Sequence, residues 1–543
     1  MLFNFIAYKT IKIMPKILSV KQLYAADTAT VKKNDISFID LMEHVGTLCF
    51  QWIHDRLQGD PITIQIFCGT GNNGGDGLVI ARHLKQYGYN VKTHIINCGN
   101  DRSEVFLKNY DRLKEIGVWA EMITCESELP AVSENDMVVD AIFGLGLSRK
   151  PENLIKKVIE HINGSNAFVL SIDFPSGLYA EKSVTDTVSV VKAYHTLTFQ
   201  TPKLAFLLPE NRYYTKTWEV LDIGLDAEYI YNAKTDNYLL YKQDIKPMYR
   251  FREKFSHKGE FGHAVIIGGS YGKMGAVTLS TKAAISIGSG LVTAHIPQCG
   301  YQIIQTSVPE IMVEVDAENE MQKFDININA TVIGIGVGMG THIETVKGFT
   351  EFLNKNKVPL VLDADALNII SKNKELLKLV PENSVLTPHP KEFERLVGKW
   401  KNDYDKLKKL RSLSKKHKII IVLKGAYSAI AHEGALFFNS TGNPALSTAG
   451  SGDVLTGIIT GLIAQNYHPF EAAKMGVYLH GKTSELAMKT KVYETFIASD
   501  IIDYLSSAIM DLLMKEPKVV PQKEAESKND KKAKPDEGTE MYI

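Results

Sequence analysis

Repeatedly along this chain a short apolar run stops on a glycine cluster, a carboxylate or a cation and gives way to a helical pattern. The first case is Ile64-Gln65-Ile66-Phe67, followed by Cys68-Gly69-Thr70-Gly71-Asn72-Asn73-Gly74-Gly75-Asp76-Gly77 and then by an apolar helical period over 78–84. Met137-Val138-Val139-Asp140-Ala141-Ile142 runs into Phe143-Gly144-Leu145-Gly146-Leu147-Ser148-Arg149, and Val169-Leu170-Ser171-Ile172 into Asp173-Phe174-Pro175-Ser176-Gly177. Strand, glycine loop and helix make up the layout of doubly wound folds, and parallel strands put such ends on one edge, where ligands bind. Asp140, Asp173 and Ser176 are therefore expected to converge on the loop 72–76. Amide oxygens there can coordinate a cation, and Asp76 can accept from ribose hydroxyls.

The second half repeats the scheme. Ala264-Val265-Ile266-Ile267 precedes Gly268-Gly269-Ser270-Tyr271-Gly272-Lys273-Met274-Gly275-Ala276, and Val332-Ile333-Gly334-Ile335 precedes Gly336-Val337-Gly338-Met339-Gly340. Leu360-Val361-Leu362 ends on Asp363-Ala364-Asp365, and Leu386 on Thr387-Pro388-His389-Pro390. Two prolines hold His389 rigidly at a strand end, which favours a ligand role over a structural one. Val422-Leu423 ends on Lys424-Gly425, a cation able to meet a nucleotide phosphate. Residues 442–457 carry the most chemistry: small residues end in Gly450-Ser451-Gly452-Asp453 and pass into the apolar helical pattern Val454-Leu455-Thr456-Gly457. Free N–H groups at such a helix start form an anion site. A carboxylate beside it would repel phosphate, so its work is to take a proton from a hydroxyl that attacks a phosphoryl group.

At 543 residues the chain calls for two large α/β domains. Lys plus Arg and Asp plus Glu both number 62, so no net field favours nucleic acid or an anionic membrane, and no apolar run is long enough to span a bilayer. Cys49, Cys68, Cys98, Cys125 and Cys299 are scattered without a Cys-x-x-Cys pair, which points to a reducing, cytoplasmic setting and away from structural zinc. Residues 1–13 are apolar and lack the marks of a leader, so an over-extended start is expected. The charged residues 513–543 are expected to be a disordered tail. Between them we expect a first domain over 14–230, a linker over 231–243 and a second domain over 244–512.

On these motifs the chain resembles a known pair of families. Residues 71–77, 140–149 and 173–177 are similar to the three motifs of the NAD(P)HX epimerase family, in a match over about 20–226. The second half resembles the ADP- or ATP-dependent NAD(P)HX dehydratase family along its whole length. Together they look like the bifunctional enzymes that repair hydrated NADH and NADPH. The resemblance implies an N-terminal Rossmann-like three-layer sandwich and a C-terminal ribokinase-like fold. It implies potassium held by Asn73, Asp140 and Ser176. Hydrated nucleotide would touch Asn72, Asn73, Gly74, Gly75, Asp76, Gly144, Leu145, Gly146, Leu147, Ser148, Arg149, Lys150 and Asp173, with Asp173 as acid/base. In the second half it places the hydrate near Ala276, Gly338, His389 and Asp453. ADP, with Mg2+, would lie near Lys424, Gly425, Ala426, Tyr427, Ser428 and Gly452. Ser451 replaces a usual Thr and keeps a small hydroxyl residue in the anion loop. Partners would be the small molecules NADHX, NADPHX and ADP, with neither nucleic acid nor membrane, and a homo-oligomer is expected. The alternative is a ribokinase-like small-alcohol or vitamin kinase with a non-catalytic N-terminal binding domain. Asp140 and Asp173 weigh against it, because a scaffold needs no carboxylates at a ligand edge.

Overall fold

The computed structural model describes residues 16–98 and 101–514. The expected extension at 1–13 lies outside them, as does the charged tail after Met514. Seven strands make the first sheet: β1 (Thr63–Cys68), β2 (Asn90–Ile96), β3 (Glu121–Ile123), β4 (Met137–Ala141), β5 (Phe168–Ile172), β6 (Ala193–Phe199) and β7 (Thr215–Leu221). Their order is β3-β2-β1-β4-β5-β6-β7, and every pairing is parallel. Alternation along the strands splits the core into two layers. Ile64, Ile66 and Cys68 face one helical layer with Met137, Val139 and Ala141, while Phe67 and Val138 face the other with Val158, Ile159 and Ile162. The chain thus reads as helix, sheet, helix, the expected three-layer sandwich.

The second sheet has ten strands: β8 (Asn237–Leu240), β9 (His263–Gly268), β10 (Leu291–Ile296), β11 (Met312–Val315), β12 (Val332–Val337), β13 (Leu360–Leu362), β14 (Val385–Leu386), β15 (Ile420–Leu423), β16 (Ala429–His432) and β17 (Ala435–Asn439). The order is β11-β10-β9-β12-β13-β14-β15-β16-β17-β8; β15, β16 and β17 are antiparallel neighbours and the remaining pairs are parallel. The same alternation recurs, with Ala264 and Ile266 in one core layer and Val265 and Ile267 in the other.

Segment 231–243 corrects the expected linker. Asn237–Leu240 is polar only at its start, and Leu239 and Leu240 are buried as β8 closes the far edge of the second sheet against β17. Turn-forming residues 232–237 pointed to a linker, but pairing an exposed sheet edge satisfies backbone groups that a linker would leave to water. The start of the first-domain segment joins the same edge: Ile17 N–H donates to Asn237 O, and the Ile17 side chain is buried in the second core. At the other end, helix Leu505–Leu513 runs one residue past the expected limit at 512.

Each sheet reverses its winding at one place, between β1 and β4 in the first and between β9 and β12 in the second. Crevices open there because successive connections leave to opposite faces. In the second crevice the two loops are tied directly, Gly269 N–H donating to Val337 O at 2.8 Å.

Candidate active sites

In the first domain the glycines after β1 do something other than line a long loop. The helix begins at Asn72 and runs to Gln86, with Gly71 as its cap. A Cβ on Gly74 would lie 1.8 Å from Gly69 O, and one on Gly77 would lie 2.7 Å from the Ala141 Cβ. The glycines let the helix start sit on the strand ends, so its free N–H groups open at the crevice.

A cavity of about 830 Å3 fills that crevice. Asn72, Asn73, Asp76, Gly144, Leu145, Gly146, Leu147, Ser148, Arg149, Lys150 and Asp173 all line it. Gly74 and Gly75 do not; Gly75 packs against the Met42 thioether. Asp173 holds φ of +62°, a strained left-handed backbone fixed by its N–H donating to Leu197 O at 2.7 Å. Its Oδ2 accepts from the Leu145 N–H at 3.3 Å, while among the described residues its buried Oδ1 has no hydrogen-bond partner, and neither has Asn73 Nδ2. Both orphans belong to cavity residues. Asp140 and Ser176 are fully buried beside the crevice and bond each other: Ser176 Oγ donates to Asp140 Oδ1 at 2.5 Å, and Ser176 N–H to Oδ2 at 2.9 Å.

Three residues of this site carry no motif and escaped the sequence. Tyr24 and Asp27, on the helix Val20–Asn34, line the cavity. Lys203 is buried after β6 and donates to Thr198 Oγ1, Phe199 O and Thr201 O at 2.8–2.9 Å, using all three of its protons. Burial lowers its pKa to about 8, opposed by Asp173 and Asp27. Burial raises Asp173, with Lys203 pulling it down, and burial with Asp173 lifts Asp27 to about 6. Asp76 is pushed well above the carboxylate range by burial and then by Asp173. So Asp27, Asp76 and Asp173 gather at the cavity with the buried Lys203 ammonium nearby, and burial raises the pKa of all three carboxyls. The only signal for Lys203 was its place just after a strand in the same series of strand ends.

In the second domain Gly450, with φ of +85°, caps helix Ser451–Ala464. From Val454 to Ala464 every residue of that helix is buried. It lies against helix Met274–Ser286, where a Cβ on Gly457 would meet Ser280 O at 2.0 Å. Close packing therefore fixes where the anion-binding start points. Lys424 Nζ pairs with Asp363 Oδ1 at 2.9 Å, and Thr456 Oγ1 donates to Asp363 Oδ2 at 2.8 Å. A Cβ on Gly452 would lie 3.1 Å from Lys424 Nζ, so the cation sits against the anion loop. Burial first, then Asp363, raise Asp453 to about 7 while Lys424 opposes them. Gly338 and Ala276 approach each other across the crevice, and Gly340 N–H donates to Asp365 Oδ2 at 2.8 Å. His480 backs the loop, its Nε2 at 3.0 Å from Ser451 O, and burial lowers its pKa to about 4.

His389 has a structural duty that the two prolines did not reveal. Its Nδ1 accepts from the N–H groups of Lys391 and Glu392, capping helix Pro390–Val397, and its Nε2 lies 3.4 Å from Glu392 Oε1. Burial lowers its pKa, so the ring is neutral. Residues 424–428 form a tight turn in which Gly425 N–H and Ser428 Oγ bond at 3.3 Å. Tyr427 reaches from that turn to the first domain, its hydroxyl accepting from Trp218 Nε1–H at 3.1 Å.

Crevices of this kind, one with clustered carboxylates and one with an open helix start beside a carboxyl raised to about 7, fit a two-domain enzyme of nucleotide chemistry. Family models agree: residues 39–205 match the YjeF-related protein N-terminus and residues 264–507 the NAD(P)H-hydrate dehydratase. The bifunctional NAD(P)H-hydrate repair enzyme Nnr of Moorella thermoacetica is 35% identical over 495 residues, covering 88% of this chain and 93% of that one. Its Escherichia coli K12 counterpart is 31% identical over 511 residues, covering 91% and 93%. A crystal structure of ADP/ATP-dependent NAD(P)H-hydrate dehydratase from Bacillus subtilis, co-crystallized with ATP/Mg2+, is 26% identical, with a TM-score of 0.44 over 50% of this chain and 97% of that one. The chain belongs to the family of bifunctional NAD(P)H-hydrate repair enzymes, and the vitamin-kinase alternative falls.

Proposed function

We propose that the first domain interconverts the (R) and (S) epimers of hydrated NADH and NADPH, and that the second dehydrates the (S) epimer at the expense of ADP. The observation that carries the reading is Asp453, a carboxylate held near neutrality beside an anion-binding helix start. A base with that proton affinity is matched to removing a hydroxyl proton at neutral pH. Asp453 accepts the proton of the hydrate hydroxyl as its oxygen attacks the β-phosphorus of ADP, with AMP as leaving group. The helix-start N–H groups and Lys424 offset the charge that develops on the transferred phosphoryl. Phosphate then departs as the ring nitrogen lone pair forms the carbon–nitrogen double-bond character of the intermediate. Loss of the neighbouring proton restores NAD(P)H, so ADP and hydrate become AMP, phosphate and reduced nucleotide. Mg2+ is expected with ADP, held chiefly by the phosphates.

In the first domain the hydrate fills the 830 Å3 cavity. Asp173 moves the proton at the hydroxyl-bearing carbon's substituents, either in reversible C–O cleavage or in ring opening. Its partnerless Oδ1 and the Lys203 cation support an acid/base role. Asn73, Asp140 and Ser176 supply amide, carboxylate and hydroxyl oxygens, with Phe143 O within 3.3 Å of Ser176 Oγ. An all-oxygen set of this kind fits a hard cation such as K+. When bound, K+ would supply fixed positive charge beside the cavity. A cytoplasmic homo-oligomer belongs to the same reading; among the described residues no helix is long and apolar enough to cross a membrane.

The test is absorbance at 340 nm on a mixture of both NADHX epimers with ADP, Mg2+ and K+. Complete recovery of NADH establishes both activities. A stop near half-conversion removes the epimerase assignment, and no recovery with ADP or ATP removes the dehydratase assignment.

A further inference from the structure

The loop that would carry ADP is held at its ends, where Lys424 N–H donates to Pro388 O and Ser428 O accepts from Asn439 N–H, and has few restraints between them. Gly425 and Ala426 are exposed, and a side chain at Gly425 would meet nothing within 4 Å. Lys424 anchors the start of the loop through Asp363, and Tyr427 anchors its far side at a point that lies in the other domain. Trp218, on β7 at the edge of the first sheet, donates its indole N–H to the Tyr427 hydroxyl at 3.1 Å, with ring centroids 6.3 Å apart. Trp218 is itself held from behind: Phe206 packs on it at 5.8 Å and stacks on Phe174 at 4.9 Å. The domains are clamped around this contact. Glu210 N–H donates to Asp403 Oδ2 and Asp403 N–H to Glu210 Oε2, both at 2.9 Å, and Tyr404 hydroxyl donates to Ala180 O at 3.0 Å. Leu207 and Leu208 of the first domain are buried in the second domain's core.

We propose that Trp218 of the first domain is a positioning residue for the nucleotide loop of the second, preorganising residues 424–428 to bind ADP. The inference rests on the reading that this loop binds ADP. Holding the loop in its binding shape before ADP arrives spares the ordering cost at binding, so the contact acts on nucleotide affinity rather than on the chemical step. The domains then share more than a substrate, because one supplies part of the other's binding geometry.

Trp218→Phe keeps a ring against Phe206 and deletes the donor; Tyr427→Phe deletes the acceptor from the opposite side. Full-length wild type, both single variants and the double variant would be compared by ADP calorimetry and by dehydration kinetics. Each single variant should raise the Kd and KM for ADP about threefold to tenfold, as expected for losing one neutral hydrogen bond. The kcat at saturating ADP should stay at the wild-type value, and the double variant should be no worse than either single one. A purely structural role would lower kcat and unfolding temperature together and would not give this split. Unchanged ADP affinity in both single variants, or effects that add in the double variant, would overturn the proposal. Wild type that binds no ADP would instead bring down the loop assignment itself, and this inference with it.

Discussion

Asp453 owes its proton affinity to burial first and to the Asp363 carboxylate second, against the pull of Lys424. In its proposed role as a base it must be ionised, so kcat/KM for dehydration should fall about tenfold per pH unit below pH 7 and level off above it. The same shift costs stability. Its carboxyl would titrate near 3.8 in the unfolded chain and near 7 in the folded one. Between those values the folded state binds the extra proton, so stability falls as pH rises through that window and stays reduced above it. Asp453→Asn should therefore lower dehydration by about 10²–10⁴-fold, yet melt higher than wild type at pH 8 and no higher at pH 4, as differential scanning calorimetry would read. Lys203 gives the opposite case. Replacing it with Met leaves three oxygens without their donor and Asp173 and Asp27 without the buried ammonium that opposes them. We expect a loss of roughly 2–5 kcal/mol in denaturant unfolding, together with loss of epimerisation. No residue pattern announced Lys203, Asp27 or Tyr24. Each is a single polar residue outside any motif, and the charged groups that Lys203 faces, Asp173 and Asp27, are far away in sequence, whereas Asn73, Asp173 and Asp453 sit inside motifs of fixed local shape.

Among the elements, two helices decide whether the sites exist. Helix Ser451–Ala464 is buried on all sides from Val454 onward and touches helix Met274–Ser286 through its glycines. At Gly457 the obstacle would be backbone, so Gly457→Ala must push the helices apart. We expect that variant to lose about 1–3 kcal/mol of stability and most of its dehydration, with epimerisation intact. Gly425→Ala, facing open space, is the matched control that should leave stability unchanged. The helix after β1 shows where reading by sequence stops short. Its glycines marked a loop, since glycine is a poor helix former. In the fold they are helical, because contact with Gly69 and Ala141 leaves no room for a Cβ, and close approach outweighs propensity. Segment 231–243 is the converse case, polar enough for a linker yet required as a strand by the open edge of β17.

For the whole molecule the interface between domains matters most. Asp403 is buried, accepts from Glu210 N–H and pairs with the buried Lys406. Asp403→Ala would leave that ammonium without its carboxylate at a cost of about 3–5 kcal/mol. We expect a single cooperative thermal transition in wild type and two separated transitions in this variant, read by calorimetry.

By itself the sequence determined the two α/β domains, the edge of each sheet where ligands meet, and the motif residues that gather there. It could do so because strand period, strand-end glycines and helix starts are local properties, and parallel winding forces their ends together. Tertiary structure alone decided which carboxylates hold protons near neutrality, that His389 caps a helix, and that Trp218 reaches the Tyr427 hydroxyl across the domain boundary. Proton affinity depends on burial and on charges brought near by folding, and the Trp218–Tyr427 contact between domains joins residues more than two hundred positions apart. Neither leaves a pattern in any short stretch of chain.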